Sequence, residues 1–257
     1  KIICDIAFPP ESRRRYGQAM RMRLQKATMA LQNETKSAKS PHGRWYGDAC
    51  GTAFGLELLG ERWSLLIVRE LMFGPRRFSD IRTNLPGISA KVLTERLAGL
   101  EANGVVLRST APEPAPARLY GLTEWGYAAE PVIQKLGRWA AASPLHDPTL
   151  PLSPVSFMLS LRTILDAEAA RGIEAEVLFT IGTAQFIARL ANGAMPVMRG
   201  DAREPDLRFE APAALPLAAV FYGGAAPETV GVQITGDPDM VCTFISLFNL
   251  PPKHEPA

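Results

Sequence analysis

Residues 75–103 (Pro-Arg-Arg-Phe-Ser-Asp-Ile-Arg-Thr-Asn-Leu-Pro-Gly-Ile-Ser-Ala-Lys-Val-Leu-Thr-Glu-Arg-Leu-Ala-Gly-Leu-Glu-Ala-Asn) narrow the choice of fold more than any other stretch, because they spell two short helices around a tight turn. Ser79 and Asp80 predict a helix start, since a short side-chain oxygen and a first-turn carboxylate both suit unpaired amide donors. Leu85-Pro86-Gly87 predicts its end, as Pro86 drives its predecessor out of the helical region and Gly87 tolerates a positive φ. Ser89 offers a second N-cap, and the helix after it is expected to run to Asn103-Gly104. On that helix Leu93, Leu97 and Leu100 share one face, while Lys91, Thr94, Glu95 and Ala98 share the other. A helical hairpin that hides leucines and shows small, polar and basic residues at the start of its second helix has the build of a DNA reader. The plainer alternative is a helical hairpin that only packs.

Charge decides where such a reader can sit. Residues 1–44 hold 10 Lys/Arg against 3 Asp/Glu, residues 45–145 hold 11 against 10, and residues 146–257 hold 7 against 13. An acidic C-terminal third is a poor partner for phosphate backbones or anionic lipid, so nucleic-acid contact is expected from the earlier part. Residues 1–44 read as a disordered or non-native basic tail, with Met29 the expected natural start; the competing reading is a basic arm, which Arg13, Arg14 and Arg15 would suit. The longest apolar run, 215–222, is too short to span a bilayer, and no signal peptide is visible. Cys4, Cys50 and Cys242 are odd in number and widely spaced, and His42, His146 and His254 are scattered, so neither a disulfide framework nor a metal site is expected. That pattern suits a cytoplasmic protein.

From Trp45 the chain turns apolar. Ala53, Leu56, Leu58, Leu59, Trp63, Leu66, Ile67, Val68 and Leu71 predict two helices broken near Gly60, with apolar coverage wide enough to face a partner chain. After the helical hairpin, 105–110 and 118–122 read as strands around the proline-rich loop 111–117, forming a wing. Arg118, and with it Arg108, is placed to lie along adjacent phosphates. Thr123 caps a further helix bearing Trp125, Ala129, Val132, Ile133, Leu136 and Trp139, which Pro131 is expected to kink and which is expected to form a dimer seam.

The words Leu-Leu-Gly-Glu-Arg-Trp-Ser-Leu-Leu-Ile-Val-Arg-Glu-Leu (58–71), Gly-Pro-Arg-Arg-Phe-Ser-Asp-Ile-Arg (74–82), Leu-Pro-Gly-Ile-Ser-Ala-Lys-Val-Leu-Thr-Glu-Arg-Leu (85–97) and Tyr-Gly-Leu-Thr-Glu-Trp-Gly (120–126) resemble the HxlR family. The resemblance covers about 46–140 and implies a bacterial winged helix-turn-helix regulator that binds double-stranded DNA as a homodimer. It implies that the helix from Ser89 enters the major groove. Lys91, Thr94 and Glu95 are then expected at base edges, with Ser79 and Ser89 beside them, Arg76, Arg77, Arg82 and Arg96 on phosphates, and Arg118 in the wing. Members of the family commonly carry a cysteine just before the first helix, some using it to sense oxidants or electrophiles, and Cys50 matches that position. Its neighbours Asp48, Ala49 and Gly51 are not basic, so a plain packed thiol is the competing reading.

Residues 143–153 are proline-rich and read as a linker. Ser153-Pro154 then opens a helix with Val155, Met158, Leu161 and Leu165 on one stripe, expected to stop at Gly172. Strands are expected at 176–181, 185–191, 194–199, 206–210, 217–222 and 230–235, with a hairpin turn at Asn192-Gly193, and Asp237-Pro238 opens a last apolar helix. In element order, and in Val232-Gln-Ile-Thr235 followed by Gly236-Asp-Pro-Asp239, residues 154–257 resemble a sterol-carrier-protein-like domain. That resemblance implies a cavity for a hydrophobic small-molecule effector. Met158, Phe186, Met195, Met198, Phe221 and Phe244 either line that cavity or simply fill the core.

No phosphate loop and no Ser/His/Asp or Cys/His set is present, so neither an enzyme nor a cofactor is expected. The chain is therefore expected to be α+β: a winged helix-turn-helix domain at 45–142 followed by a smaller effector domain at 154–257. The rival is a small-molecule or lipid-binding protein whose winged helix serves only dimerisation. Five Lys/Arg against two Asp/Glu in 76–96 speak against it.

Overall fold

The computed structural model of the chain describes residues 46–110 and 117–255. The readings of 1–44 as a tail or arm, of Met29 as a start and of most of the wing loop lie outside those residues. The described residues from Asp48 onward form one compact unit.

The first part is built as α1 (Gly51–Leu59), α2 (Ser64–Glu70), β1 (Arg76–Arg77), α3 (Phe78–Asn84), α4 (Ala90–Ala102), β2 (Val106–Thr110), β3 (Arg118–Leu122), α5 (Glu124–Tyr127) and α6 (Glu130–Ala141). The break near Gly60 is as expected: Gly60 caps α1, and Trp63 enters α2 with φ 80°. The three strands order β1-β3-β2, all antiparallel, with Arg76 opposite Tyr120 and Thr110 opposite Arg118. Leu93, Leu97 and Leu100 of α4 are buried together with Ile67, Val68 and Leu71 of α2 and Ile81 of α3, so the leucine face closes the core.

Two expectations here need correction. Ser79 is not an N-cap: α3 begins at Phe78 with Arg77 as its cap residue, and the Ser79 hydroxyl instead donates to Asp80 Oδ1 at 3.3 Å. Strand β1 ends at Arg77, so the chain passes directly from strand to helix and leaves no separate capping position. Pro131 does not kink a long helix either. It stands in the first turn of α6, where its missing N–H costs nothing, after the chain has broken at Ala128–Ala129.

The second part is α7 (Pro154–Ile164), β4 (Ala175–Ile181), β5 (Ala184–Leu190), β6 (Val197–Arg199), β7 (Leu207–Ala211), α8 (Ala214–Gly223), α9 (Pro227–Val230), β8 (Gln233–Thr235) and α10 (Pro238–Ser246). Ser153 and Asp237 cap α7 and α10 as expected, their side chains accepting from the amides of Ser156 and Met240. The sheet orders β6-β5-β4-β7-β8, with β4 and β7 parallel and the other neighbours antiparallel. Asn192 and Gly193 turn back with φ of 53° and 73°, both in the left-handed region that such a hairpin requires.

The expected strand 217–222 is a helix, α8. Its run Leu-Pro-Leu-Ala-Ala-Val-Phe-Tyr is apolar without a period, and short runs of that kind do not distinguish strand from buried helix. The alanines favour helix, and Gly224 with φ 64° supplies the left-handed stop. Three further boundaries move. α7 ends at Ile164, where Leu165 bridges Phe248, so Gly172 belongs to a later turn. In 194–199 only Val197–Arg199 is strand, and in 230–235 only Gln233–Thr235, because α9 occupies the preceding residues.

One face of this sheet carries α7, α8 and α10, packed by phenylalanines. Phe179 and Phe209 on neighbouring strands stack at 5.1 Å. Phe157 of α7, Phe221 of α8 and Phe244 of α10 close on Phe179 at 6.1–6.4 Å, with Phe248 beyond them. Leu178, Ile187 and Ala202 form a small cluster on the other side. The two parts are continuous: α7 packs on α2 and α6, and Phe73 meets Phe186 edge-on at 5.9 Å. Among the described residues no helix is long and apolar enough to cross a membrane.

Candidate nucleic-acid interface

The second helix of the hairpin, the expected reader, is α4. Ser89 caps it, its Oγ accepting from the amide of Val92 at 3.2 Å. The turn before it needs Gly87, which has φ 92° and lies 3.8 Å, at the position a Cβ would take, from the ring edge of Trp63. Burying Leu93 and Leu97 leaves Lys91, Thr94 and Glu95 exposed on the opposite face. The Thr94 hydroxyl donates back to the Ala90 carbonyl at 2.9 Å.

The arginines fall into two groups. Arg77, Arg82 and Arg118 are exposed and have no ion-pair partner among the described residues. Arg76 meets Asp80 at 3.5 Å, a loose pair one helical turn apart. Arg96 is held more firmly: Nη2 lies 2.9 Å from Glu61 Oε2, and Nε donates to the Arg62 carbonyl at 3.1 Å. Arg96 therefore ties α4 to the turn between α1 and α2. Arg108 of β2 likewise pairs with Glu101 at 2.6 Å and lies over the Tyr120 ring. Arg118 stands at the start of β3, beside the wing loop.

Cys50 is the cap residue of α1 and is exposed rather than packed. Its side chain makes no cap hydrogen bond of good geometry, but the nearby amides of Ala53 and Thr52, and then the Thr52 side chain, favour the thiolate and hold the thiol below the ordinary range. No basic neighbour is needed, because the first turn of a helix supplies the donors.

Of the six residues assigned to an apolar pocket, five belong to the buried hydrophobic core and Met198 does not. Phe221 and Phe244 face each other at 6.2 Å inside the phenylalanine cluster. Phe186 lies at the seam with the first part, against Phe73 and under Arg199. Met158 and Met195 are buried, and Met198 is exposed on the edge strand β6. Among the described residues no group of three or more His, Cys, Asp or Glu could hold a metal. Sequence reasoning counted Trp63 only among the apolar helix residues and passed over Glu70. Trp63 shapes the turn of the reader, and Glu70 is a buried carboxylate that accepts from Arg69, from Asn84 at 3.1 Å and from Ser153 at 2.7 Å. Both lie in the apolar 58–71 stretch, where their partners are too distant in sequence to be seen.

Residues 58–146 match the family model described as HxlR-like helix-turn-helix. The HTH-type transcriptional regulator YodB of Bacillus subtilis (strain 168) is 47% identical over 83 residues, which are 32% of this chain and 74% of the relative. The uncharacterized HTH-type transcriptional regulator YvaP of the same organism is 44% identical over 86 residues, 33% of this chain and 79% of the relative. The solved reduced form of YodB from B. subtilis is 40% identical, covering 39% of this chain and all of that one, with a TM-score of 0.35. The chain belongs to the HxlR family of helix-turn-helix, DNA-binding transcriptional regulators.

Proposed function

We propose that the protein regulates transcription in the cytoplasm as a homodimer that lays two copies of α4 into successive major grooves. The observation that carries this reading is the division of α4 into a buried leucine face and an exposed face of Lys91, Thr94 and Glu95. These three side chains reach base edges. Ser79 and Ser89, with Arg76, Arg77 and Arg82, hold the phosphates, and Arg118 follows the backbone from the wing. Arg96 acts there mainly by fixing the angle of α4, given its bonds to Glu61 and Arg62.

Two apolar surfaces support the dimer. Leu56 on α1, and Val132, Leu136 and Trp139 on α6, are exposed in the single chain. Such a cluster of large side chains on helices flanking a reader is the material of an isologous interface. A two-fold axis would space the half-sites about one duplex turn, roughly 34 Å, apart.

Residues 143–153 serve as linker and 154–257 as a sterol-carrier-like effector domain. A hydrophobic ligand would enter the layer between the sheet and α7, α8 and α10, where Phe221 and Phe244 lie; Met158 and Met195 would contribute from the buried core, and Phe186 and Met198 from β5 and β6. The layer is dense with rings, so a ligand must displace phenylalanines to bind. Cys50 provides a second input, an exposed thiol with helix-terminal donors.

Fluorescence anisotropy of the chain on the DNA upstream of its own gene, titrated with salt and non-specific competitor, tests the reading. Saturable binding that survives competitor and falls steeply with salt is the expected result. Binding with no preference over competitor at any salt would refute the base-edge assignment.

A further inference from the structure

The seam between the C-terminal sheet and the strand-helix entry to the reader carries a guanidinium without a counter-charge. Arg199 ends β6 and stands opposite Phe186 in the ladder, its guanidinium over that ring at 4.6 Å. Phe186 in turn meets Phe73, which precedes β1 in the first part. The Arg199 Nε is buried and has no hydrogen-bond partner. Around Phe73, Arg69 pairs with Glu70, Arg76 with Asp80 and Arg162 with Glu130, whereas Arg199 has no carboxylate partner among the described residues.

The charges within reach do not cancel. Burial first, and then the positive charge of Arg76, lower the pKa of Arg199 to about 10, with Glu70 and Asp80 opposing. It thus remains charged at neutral pH. Glu70 is already engaged by Arg69, Asn84 and Ser153, and Asp80 by Arg76 and Ser79. A buried guanidinium donor left unpaired is costly, and an added anion would satisfy the Arg199 Nε and offset the repulsion from Arg76.

We propose that Arg199 and Arg76 form a binding site for an oxyanion, a phosphate or carboxylate group, at this seam. A planar guanidinium fork is suited to both chemistries, and a bound oxyanion would accept from Nε while relieving the repulsion between the two arginines. Because Arg76 opens the strand that runs into α3, occupancy would connect the C-terminal sheet to the helix preceding the reader. The site goes beyond the hydrophobic-ligand reading and does not depend on it. The anion is either a free small molecule or a phosphate of the bound duplex.

Full-length wild type, Arg199→Gln and Arg199→Met are compared in two assays: thermal unfolding with sodium phosphate at constant ionic strength, and anisotropy on mixed-sequence duplex DNA over a salt series. The methionine variant keeps apolar packing on Phe186 without charge. With a free anion, phosphate raises the wild-type midpoint by about 2–4 °C and leaves both variants unmoved, while their salt slopes match wild type. With a duplex phosphate, free phosphate stabilises none of them and the log–log salt slope of both variants falls by about 0.9. Folded variants that match wild type in both assays overturn the proposal. Should both variants misfold, Arg76→Gln must reduce the wild-type phosphate shift or lower the salt slope by about 1.8, its own phosphate contact and the shared one together, and an unchanged phosphate shift with a fall of only about 0.9 would overturn it equally.

Discussion

Ser153 Oγ donates to the buried carboxylate of Glu70 at 2.7 Å, joining residues 83 apart in sequence. The same hydroxyl caps α7, accepting from the amide of Ser156 at 3.0 Å. Glu70 closes α2, and its other oxygen accepts from Asn84 at the end of α3. One carboxylate therefore fixes the first helix of the reader and the first helix of the C-terminal part to a common point. A shift of α7 is expected to be felt at α3 through this carboxylate before it is felt through the apolar contacts, which are less directional.

Removing Glu70 should accordingly cost far more than removing one of its partners. Glu70→Ala strands the donors of Arg69, Asn84 and Ser153, and is expected to destabilise by roughly 3 kcal/mol. Ser153→Ala loses a cap and one bond to a charged acceptor, roughly 1–2 kcal/mol. Urea unfolding of the two variants measures both. Equal losses would show that the bond to Ser153 carries the carboxylate's contribution and that Arg69, whose guanidinium lies at 2.9 Å, adds little.

The two groups of arginine should separate in DNA binding. Arg82→Ala and Arg118→Ala remove exposed, unpaired cations, and each should weaken binding to every sequence and reduce the salt slope by about 0.9. Arg96→Ala breaks the tie to Glu61 and Arg62, so it should lower the thermal midpoint and weaken binding with little change in slope. Lys91→Ala should change the preferred sequence instead. A salt series on two duplexes, upstream and mixed-sequence, distinguishes all three behaviours.

Cys50 should react as a thiol of lowered pKa. The amides of Ala53 and Thr52 stabilise the thiolate, so the anion persists to lower pH than in an unstructured peptide. With Cys4 and Cys242 replaced by Ser, the pH profile of alkylation by iodoacetamide should have its midpoint below that of a free cysteine. Thr52→Val removes the side-chain donor and keeps the backbone ones, and should move the midpoint part of the way back up. An unmoved midpoint would assign the whole effect to the helix backbone.

The parts of this molecule that could be read in advance are those written in adjacent residues. Ser89, Thr123, Ser153 and Asp237 each cap a helix with their own side chain, because capping is settled within three residues. Strand β3 was legible to its ends for the same reason, lying between a proline-rich loop and a capping threonine. Residues 215–222 were not legible, since an apolar run with no period holds no record of which element buries it. The site shows the same division. The exposed face of α4 follows from its leucine spacing, whereas the capture of Arg96 by Glu61 and the unpaired state of Arg199 depend on partners brought together only by the fold.

The helix that follows the wing sets the last expectation. Trp139 is 76% exposed and Val132 57%, with Leu136 on the same helix and Leu56 on α1 also open. Lone exposed apolar residues are ordinary, but four on two helices, including a tryptophan, are costly unless a second copy covers them. Trp139→Glu and Val132→Glu place charges where a dimer would bury them, yet touch none of the buried core of either part. Each variant should therefore keep its thermal fold and elute as a monomer by light-scattering chromatography, with DNA affinity reduced at least tenfold, because one reader helix per complex makes half the contacts. Variants that remain dimeric would place the interface elsewhere. Variants that become monomeric and keep full affinity would show that a single winged helix suffices for binding.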